Sequence, residues 1–397
     1  MNSYRCFACD ETQTPEFSGW VCPACGGNLD VVNDYDAILE QIRQSPFDDS
    51  RIPLRIGRTP LYAAEQLGQS IGLRNLFLKD DTVNPSASSK DRASAAAVLR
   101  ALEMGADTIA VASTGNAGSS LACVAAAAGI NAVVFVPESA PVAKLTQALS
   151  FGATVLAVRG SYDDAFDLCL AASDEFGWFN RSTGFNPFTR EGKKICAWEI
   201  WASLDGRVPD RVVVPTGDGN ILSAMWKGWC ELQTVGLIDR LPKIDCAQSS
   251  GSDAITRTVQ KVRGGPSVDW STVTLEAVDA NTVADSIAVD LPRDGLAAVR
   301  AIIESGGEAV TVPDEAILAA IPEMASHSGV FPEPAAATPW AVVRQLLHDK
   351  KIQADETIVC LVSGNGLKDI ASARSVTGQP QLIDPTLEAV RNTLAKV

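Results

Sequence analysis

From Asn75 onward, short apolar runs alternate with stretches of helical periodicity, and this alternation narrows the possible folds more than any other feature of the chain. Asp107 to Val111 reads as a strand, followed by a Gly/Ser/Asn turn and a helix over Ala117 to Ala128. Ala132 to Val136, a helix from Pro141, Thr154 to Val158 and a helix from Tyr162 repeat the unit. Arg211 to Val214 opens a second run, which closes with Thr357 to Val362. Strands spaced by helices of about 10–15 residues form a parallel sheet wrapped on both faces. The expected fold class is therefore α/β, with two doubly wound domains.

Ahead of this alternation stands Cys6-Phe7-Ala8-Cys9, then twelve residues, then Cys22-Pro23-Ala24-Cys25-Gly26-Gly27. Two such knuckles present four thiolates to one tetrahedral ion, and the Gly pair lets the second turn tightly. A small zinc ribbon holding structural Zn²⁺ on Cys6, Cys9, Cys22 and Cys25 is expected. Four protein ligands leave no open coordination position, so the metal has no catalytic part. The other six cysteines, Cys123, Cys169, Cys196, Cys230, Cys246 and Cys360, are scattered through apolar segments. They read as small core residues of a protein in a reducing compartment.

At 397 residues and 46% apolar content, the chain has enough material for two to three buried cores. Its longest stretch of low polarity, Leu121 to Val136, is interrupted by Gly129 and Asn131 and is too short to cross a bilayer. The first residues carry no apolar run of a signal peptide, so a cytoplasmic location is expected. Forty-eight acidic against 33 basic residues give a net charge of −15, which disfavours nucleic acid and anionic membrane as partners. Any site for a phosphorylated ligand must then be built locally, from backbone amides and one or two cations. With His327 and His348 as the only histidines, His-based triads and multi-His metal sites are excluded.

In an open parallel sheet, ligands sit beyond the carboxyl ends of the strands. Four loops have a suitable composition. In Asn84-Pro85-Ser86-Ala87-Ser88-Ser89-Lys90-Asp91-Arg92, small residues crowd around one lysine at a helix start. The helix dipole lowers the pKa of such an amine, as does desolvation, and this suits Schiff-base chemistry. Ser113-Thr114-Gly115-Asn116 follows a strand and opens a helix, so its backbone amides suit a carboxylate and the Asn116 amide suits a phenolic oxygen. Gly217-Asp218-Gly219-Asn220 spaces its glycines to aim successive N–H groups at one anion, and it matches neither a Walker motif nor GxGxxG. Ser363-Gly364-Asn365-Gly366-Leu367-Lys368-Asp369 follows the last strand and offers the Ser363 hydroxyl to a ring nitrogen.

These four loops, in this order, resemble those of threonine synthase and its relatives among the fold-type-II pyridoxal 5′-phosphate (PLP) enzymes. Gly57-Arg58-Thr59-Pro60-Leu61, Asn186-Pro187 with Glu191-Gly192, Trp226-Lys227-Gly228, Ala284-Asp285-Ser286-Ile287 and Glu333-Pro334-Ala335 extend the resemblance over nearly the whole chain. It implies a small four-cysteine zinc ribbon over 1–35, a large PLP-binding α/β domain over 36–89 plus 186–397, and a small α/β domain over 90–185. The active site lies between the two larger domains, and the assembly is a homodimer. Lys90 is the implied Schiff-base and catalytic residue. Asn116, Gly217, Asp218, Gly219, Asn220 and Ser363 are its companions around the cofactor. Contacts to a small amino-acid substrate are expected from Ser88, Ser113, Thr114, Gly115 and Arg190.

The implied reaction is conversion of O-phospho-L-homoserine and water to L-threonine and phosphate, with Lys90 removing the α proton. Three positions depart from the threonine synthase pattern. Ala117-Gly118 stands where Thr or Ser is usual, Ser89 replaces a frequent Phe, and Thr189 occupies the position of an Arg that here has moved to Arg190. On a helix, one residue of displacement turns a side chain by about 100°. These departures favour the alternatives: a threonine or serine ammonia-lyase, or β-replacement on O-phosphoserine as in cysteate synthase.

Overall fold

The computed structural model describes residues 3–17, 19–45, 47–140, 142–263 and 268–395. β1 (Ser3–Cys6), β2 (Thr12–Gln13) and β3 (Leu29–Val32) form an antiparallel sheet in the order β2-β1-β3. Its register sets Cys6 opposite Leu29, so the two cysteine knuckles meet at one end. β4 (Leu61–Ala63) and β5 (Asn75–Asp80) begin a second sheet. β6 (Thr108–Ala112), β7 (Asn131–Pro137), β8 (Thr154–Val158) and β9 (Phe179–Asn180) make a third, parallel throughout, in the order β8-β7-β6-β9. β10 (Arg211–Pro215), β11 (Lys243–Ser249), β12 (Ala309–Val312) and β13 (Thr357–Val362) return to the second sheet. Its order is β12-β11-β10-β13-β5-β4, parallel except for β4 at the edge.

The expected strands form within a residue of their sequence positions, and Thr154–Val158 has the expected bounds. The helices Asn116–Ala128 and Tyr162–Phe176 form as well. Pro141 lies outside the described residues; the helix beyond it runs from Val142 to Ser150. Continuous apolar runs mark strands buried on both faces. In β10, Val212 and Val214 join the core beneath the helices Lys90–Glu103, Phe188–Ser203 and Asn220–Thr234. Val213 faces the opposite core, under Pro334–His348. Of the six scattered cysteines, five are buried and Cys230 is half-buried. Among the described residues, no helix is long and apolar enough to cross a membrane.

The carboxyl ends of β5, β6, β9, β10 and β13 lead into the loops that hold Lys90, Asn116, Arg181, Asp218 and Ser363. The Lys90 helix is fixed by an unusually close crossing with Phe188–Ser203. A Cβ at Gly192 would lie 1.9 Å from the Arg92 carbonyl oxygen, so only glycine permits this approach. Gly192→Ala forces backbone apart where both partners are rigid, and it is expected to destabilise the fold by about 2–3 kcal/mol. A urea midpoint unchanged from the parent would show that the crossing is looser than its geometry.

Candidate active site

Lys90 is the first residue of its helix, and it opens onto a cleft of about 610 Å³. Two strand-end loops place it. The Ser89 N–H donates to the Ser363 carbonyl at 2.8 Å and the Asn365 N–H donates to that of Ala87 at 3.1 Å. Ala87 has a φ of 64°, a left-handed conformation costly for a residue with a Cβ, and this pairing holds it there. Among the described residues, no hydrogen bond or ion pair holds the Lys90 amine. Burial lowers its pKa; Glu333 opposes this shift and Arg181 adds to it. The Ser88 and Ser89 hydroxyls are buried without a partner. Unsatisfied buried hydroxyls of this kind are what a ligand would satisfy.

Ser113, Thr114, Gly115 and Asn116 line the same cleft, together with Asp218 from the glycine loop. Gly217 and Gly219 lie behind Asp218, packed against the segment 285–294. A Cβ at Gly217 would come within 2.9 Å of the Ile287 Cα, and one at Gly219 within 2.9 Å of the Asp294 carbonyl oxygen. Gly219 also has a φ of 90°. The N–H groups of residues 217 to 220 donate to no described residue, and they stand at the amino end of the helix Asn220–Thr234. This is an anion cradle by composition and by geometry. The Ser363 side chain is buried, with its hydroxyl unpartnered among the described residues.

Two expected ligand contacts are taken up by the protein itself. The Asn116 amide donates to both Glu333 carboxylate oxygens, at 2.9 and 3.1 Å, and to the Ser286 hydroxyl at 3.2 Å. The Asn220 side chain accepts from Lys193 Nζ at 2.5 Å and donates to Asp294 at 2.9 Å, which leaves its backbone N–H for an anion. Arg190 corrects the sequence reading. Its guanidinium donates to Asp294 at 2.5 Å, Asp30 at 3.0 Å, the Leu29 carbonyl at 3.2 Å and the Ser223 hydroxyl at 3.2 Å, and it lies over the Phe7 ring. It faces the cysteine-bearing sheet and is not among the residues lining the cleft that holds Lys90.

Three residues of the site were given no role by the sequence reading, although Glu333 stood in one of its motifs. Arg181 follows β9 and lines the cleft. Its Nε donates to Ser94 at 3.2 Å and its Nη2 reaches the Lys90 carbonyl at 3.5 Å, while its Nη1 is buried with no partner. Burial pushes its pKa down to about 10. Lys193 stands behind the glycine loop, its pKa lowered by burial and by the charges of Lys90 and Arg181. Burial raises the pKa of Glu333, against the pull of Asn116 and Lys90. For Glu333, the available signal was a position just before Pro334 at a helix start; for the two cations, sequence offered none.

The donors present fit PLP: a free buried amine, an anion cradle backed by a lysine, and a buried serine hydroxyl. The four knuckle thiols fit a metal in the same way. All four sulfurs lie within 4.8 Å of one another. The contacts Cys9–Cys25, Cys6–Cys25 and Cys9–Cys22 measure 3.4, 3.5 and 3.7 Å. A tetrahedron of four sulfurs around zinc, with arms of about 2.3 Å, has edges of about 3.8 Å.

Comparison with known proteins agrees. A family model described as pyridoxal-phosphate dependent enzyme matches residues 52–364. The chain is 35% identical to a threonine synthase of Methanosarcina acetivorans and 34% identical to one of Methanocaldococcus jannaschii, with 99% of both partners covered in each case. Processed threonine deaminase isoform 2 from Solanum lycopersicum matches with a TM-score of 0.70 over 88% of this chain and 94% of its own, at 20% identity. Maize serine racemase matches with a TM-score of 0.67 over 92% and 98%, also at 20% identity. These last two likenesses are of fold alone. With its family model, its full-length relatives and its cleft in agreement, the chain belongs to the pyridoxal-phosphate dependent enzymes of fold type II, as a threonine synthase-like lyase whose cofactor is PLP.

Proposed function

We propose that this chain is a threonine synthase that converts O-phospho-L-homoserine and water to L-threonine and phosphate. The observation that carries a phosphorylated substrate is Arg181, whose buried Nη1 has no partner in a cleft that also holds Lys90. The glycine loop supplies one anion cradle, and Arg181 supplies a second cation on the side of β9. A ligand with its own phosphate, besides that of the cofactor, uses both. The names of the full-length relatives support the same reading.

Bound at Lys90, PLP supplies an electron sink for negative charge at the substrate α carbon. Ser113, Thr114 and the N–H groups of their turn hold the substrate carboxylate, which fixes the α C–H bond toward Lys90. The Lys90 amine, whose pKa burial lowers, would take that proton once the substrate's own amine has replaced it on the cofactor. For the γ C–O bond to break, a proton would also have to leave the β carbon; Arg181 would hold the departing phosphate, and protons returned to the γ and α carbons, with the hydroxyl of water at the β carbon, complete threonine. The N–H groups of Gly217 to Asn220, with Lys193 behind them, would hold the cofactor's phosphate, and the Ser363 hydroxyl would serve its ring nitrogen. The two parallel sheets support a division into 36–89 plus 186–397 and 90–185, with this cleft between. The thiol geometry supports structural zinc on Cys6, Cys9, Cys22 and Cys25.

A second reading, elimination from serine or threonine or replacement on O-phosphoserine, is favoured by Thr189, which is buried and donates to the Asn186 carbonyl at 2.8 Å. Turnover of the four amino acids side by side separates the two. Phosphate and threonine are expected from O-phosphohomoserine, and their absence would sink the first reading. Arg181→Ala removes a charge-assisted contact, so its KM for O-phosphohomoserine should rise about 10- to 100-fold.

Wild-type protein should bind PLP with a visible band that borohydride abolishes, and Lys90→Ala should lack that band. The neutral amine is the attacking form, and burial lowers the pKa of Lys90. Loading with PLP should therefore rise with pH and level off below the ordinary lysine value of about 10.4. A plateau reached only above that value would contradict the burial argument. Metal analysis of the purified protein should give one zinc per chain.

A further inference from the structure

The cysteine-bearing sheet touches the glycine loop through one carboxylate. Asn28, three residues past Cys25, donates its Nδ2 to the Arg293 carbonyl at 2.5 Å and to Asp294 Oδ1 at 3.2 Å. Arg190 makes a second link, donating to Asp294 Oδ1 from one nitrogen and to the Leu29 carbonyl and Asp30 from another. On its other side Asp294 is built into the loop. Its Oδ2 accepts from Asn220 and from Ser223, both at 2.9 Å, and its N–H donates to the Asp218 carbonyl at 3.0 Å. The neighbouring Arg293 N–H donates to Asp218 Oδ1 at 3.1 Å. Asp294 is fully buried, so each of these bonds forms in a low-dielectric setting where its loss is costly.

Asn28 in turn is held by the knuckles. Its carbonyl accepts from the Phe7 N–H at 3.1 Å, its backbone bridges to Val21, and the adjacent Gly27 carbonyl accepts from Cys22 at 2.8 Å. Hydrogen bonds and the intervening backbone therefore link the cysteine knuckles to the Asp218–Asn220 turn.

We propose that the N-terminal cysteine module is part of the cofactor-binding machinery. Through Asn28, Arg190 and Asp294 it positions the Asp218–Asn220 turn, so that unfolding of the module loosens the grip on the PLP phosphate. Arg190 and Asn28 are positioning residues that act on the turn from outside the cleft. The proposal rests on PLP as the ligand of this turn and not on which amino acid the enzyme turns over.

The test uses full-length chain and PLP itself. Asn28→Ala removes both bonds to residues 293 and 294 and should raise the PLP dissociation constant about 3- to 10-fold. Cys25→Ser should raise it further. Asn33→Ala removes a bond of the same kind to Glu191, away from Asp294, and should leave the constant unchanged. The ³¹P resonance of bound PLP should move in Asn28→Ala and stay in place in Asn33→Ala, which a merely structural role of the module would not produce. A wild-type dissociation constant and resonance in Asn28→Ala overturn the proposal, whatever Cys25→Ser does. Equal changes in Asn28→Ala and Asn33→Ala overturn it too. Failure of the wild-type chain to bind PLP would instead contradict the cofactor assignment.

Discussion

Arg92 holds the active site in place from beneath. It sits two residues past Lys90, fully buried, and forks onto Asp81 with two bonds of 2.8 Å and onto Glu199 with two of 2.7 Å. Lys79 donates to Glu199 at 2.7 Å and to the Thr59 carbonyl, also at 2.7 Å. Two cations therefore face two carboxylates and the buried cluster is neutral, which is what makes charges this deep tolerable. Removing one member would strand another, at a cost of about 3–5 kcal/mol. The cluster ties β5, the Lys90 helix and the helix Phe188–Ser203 into one body, so the amine cannot drift from the sheet end. It also explains the motif Gly57-Arg58-Thr59: Glu199 accepts from the Arg58 and Thr59 N–H groups, and a Cβ at Gly57 would lie 2.6 Å from its Oε1. Burial works against the charge on Glu199, but Arg92 and Lys79 overcome it and hold the carboxyl well below the usual range. The stability this contributes is present above the ordinary glutamate pKa and is lost as pH falls through the depressed one.

Above that neutral base, the cleft is balanced differently. Lys90, Lys193 and Arg181 face Asp218 and Glu333, and burial shifts four of the five toward their uncharged forms and lowers the fifth, Arg181, without discharging it. A phosphate group in such a site would favour the cationic forms of the lysines, because it would supply counter-charge against the shift that burial causes. The local field of the cleft therefore departs from the global one of a chain with a net charge of −15. Sequence reasoning arrived at the requirement, backbone amides with one or two cations, without finding the cations.

The reason lies in what sequence patterns report. Strands β6, β7, β10 and β13 were legible because burial on both faces leaves continuous apolar runs, whereas β8, a largely exposed edge strand, was legible from its short apolar run between two helices. Lys90 and the loops around Asn116, Gly217 and Ser363 were legible because backbone demands leave small residues in fixed order. Arg181 and Lys193 carry no such mark. A buried cation has the same letter as a solvated one, and the unpartnered Nη1 of Arg181 arises only when β9 sets it beside Lys90. β9 itself is two residues long, too short to show a period.

Arg190 failed for a related reason. Its helix begins at Phe188, and the step from 189 to 190 turns the side chain by about 100°. That rotation takes Arg190 from the cleft to the cysteine-bearing sheet, where Asp30, Asp294 and the Phe7 face accept it. Thr189 is left turned onto its own helix start, bonded to the Asn186 carbonyl. The loop between Asn180 and Asn186 is pinned by the Asn186 amide to the Asn180 carbonyl at 2.7 Å, and it starts one residue after β9 ends. The arginine at the head of this loop emerges at the carboxyl end of the small sheet, the place where an open α/β fold presents side chains to a ligand. Topology, more than the order of letters in the motif, decides which arginine lines the cleft.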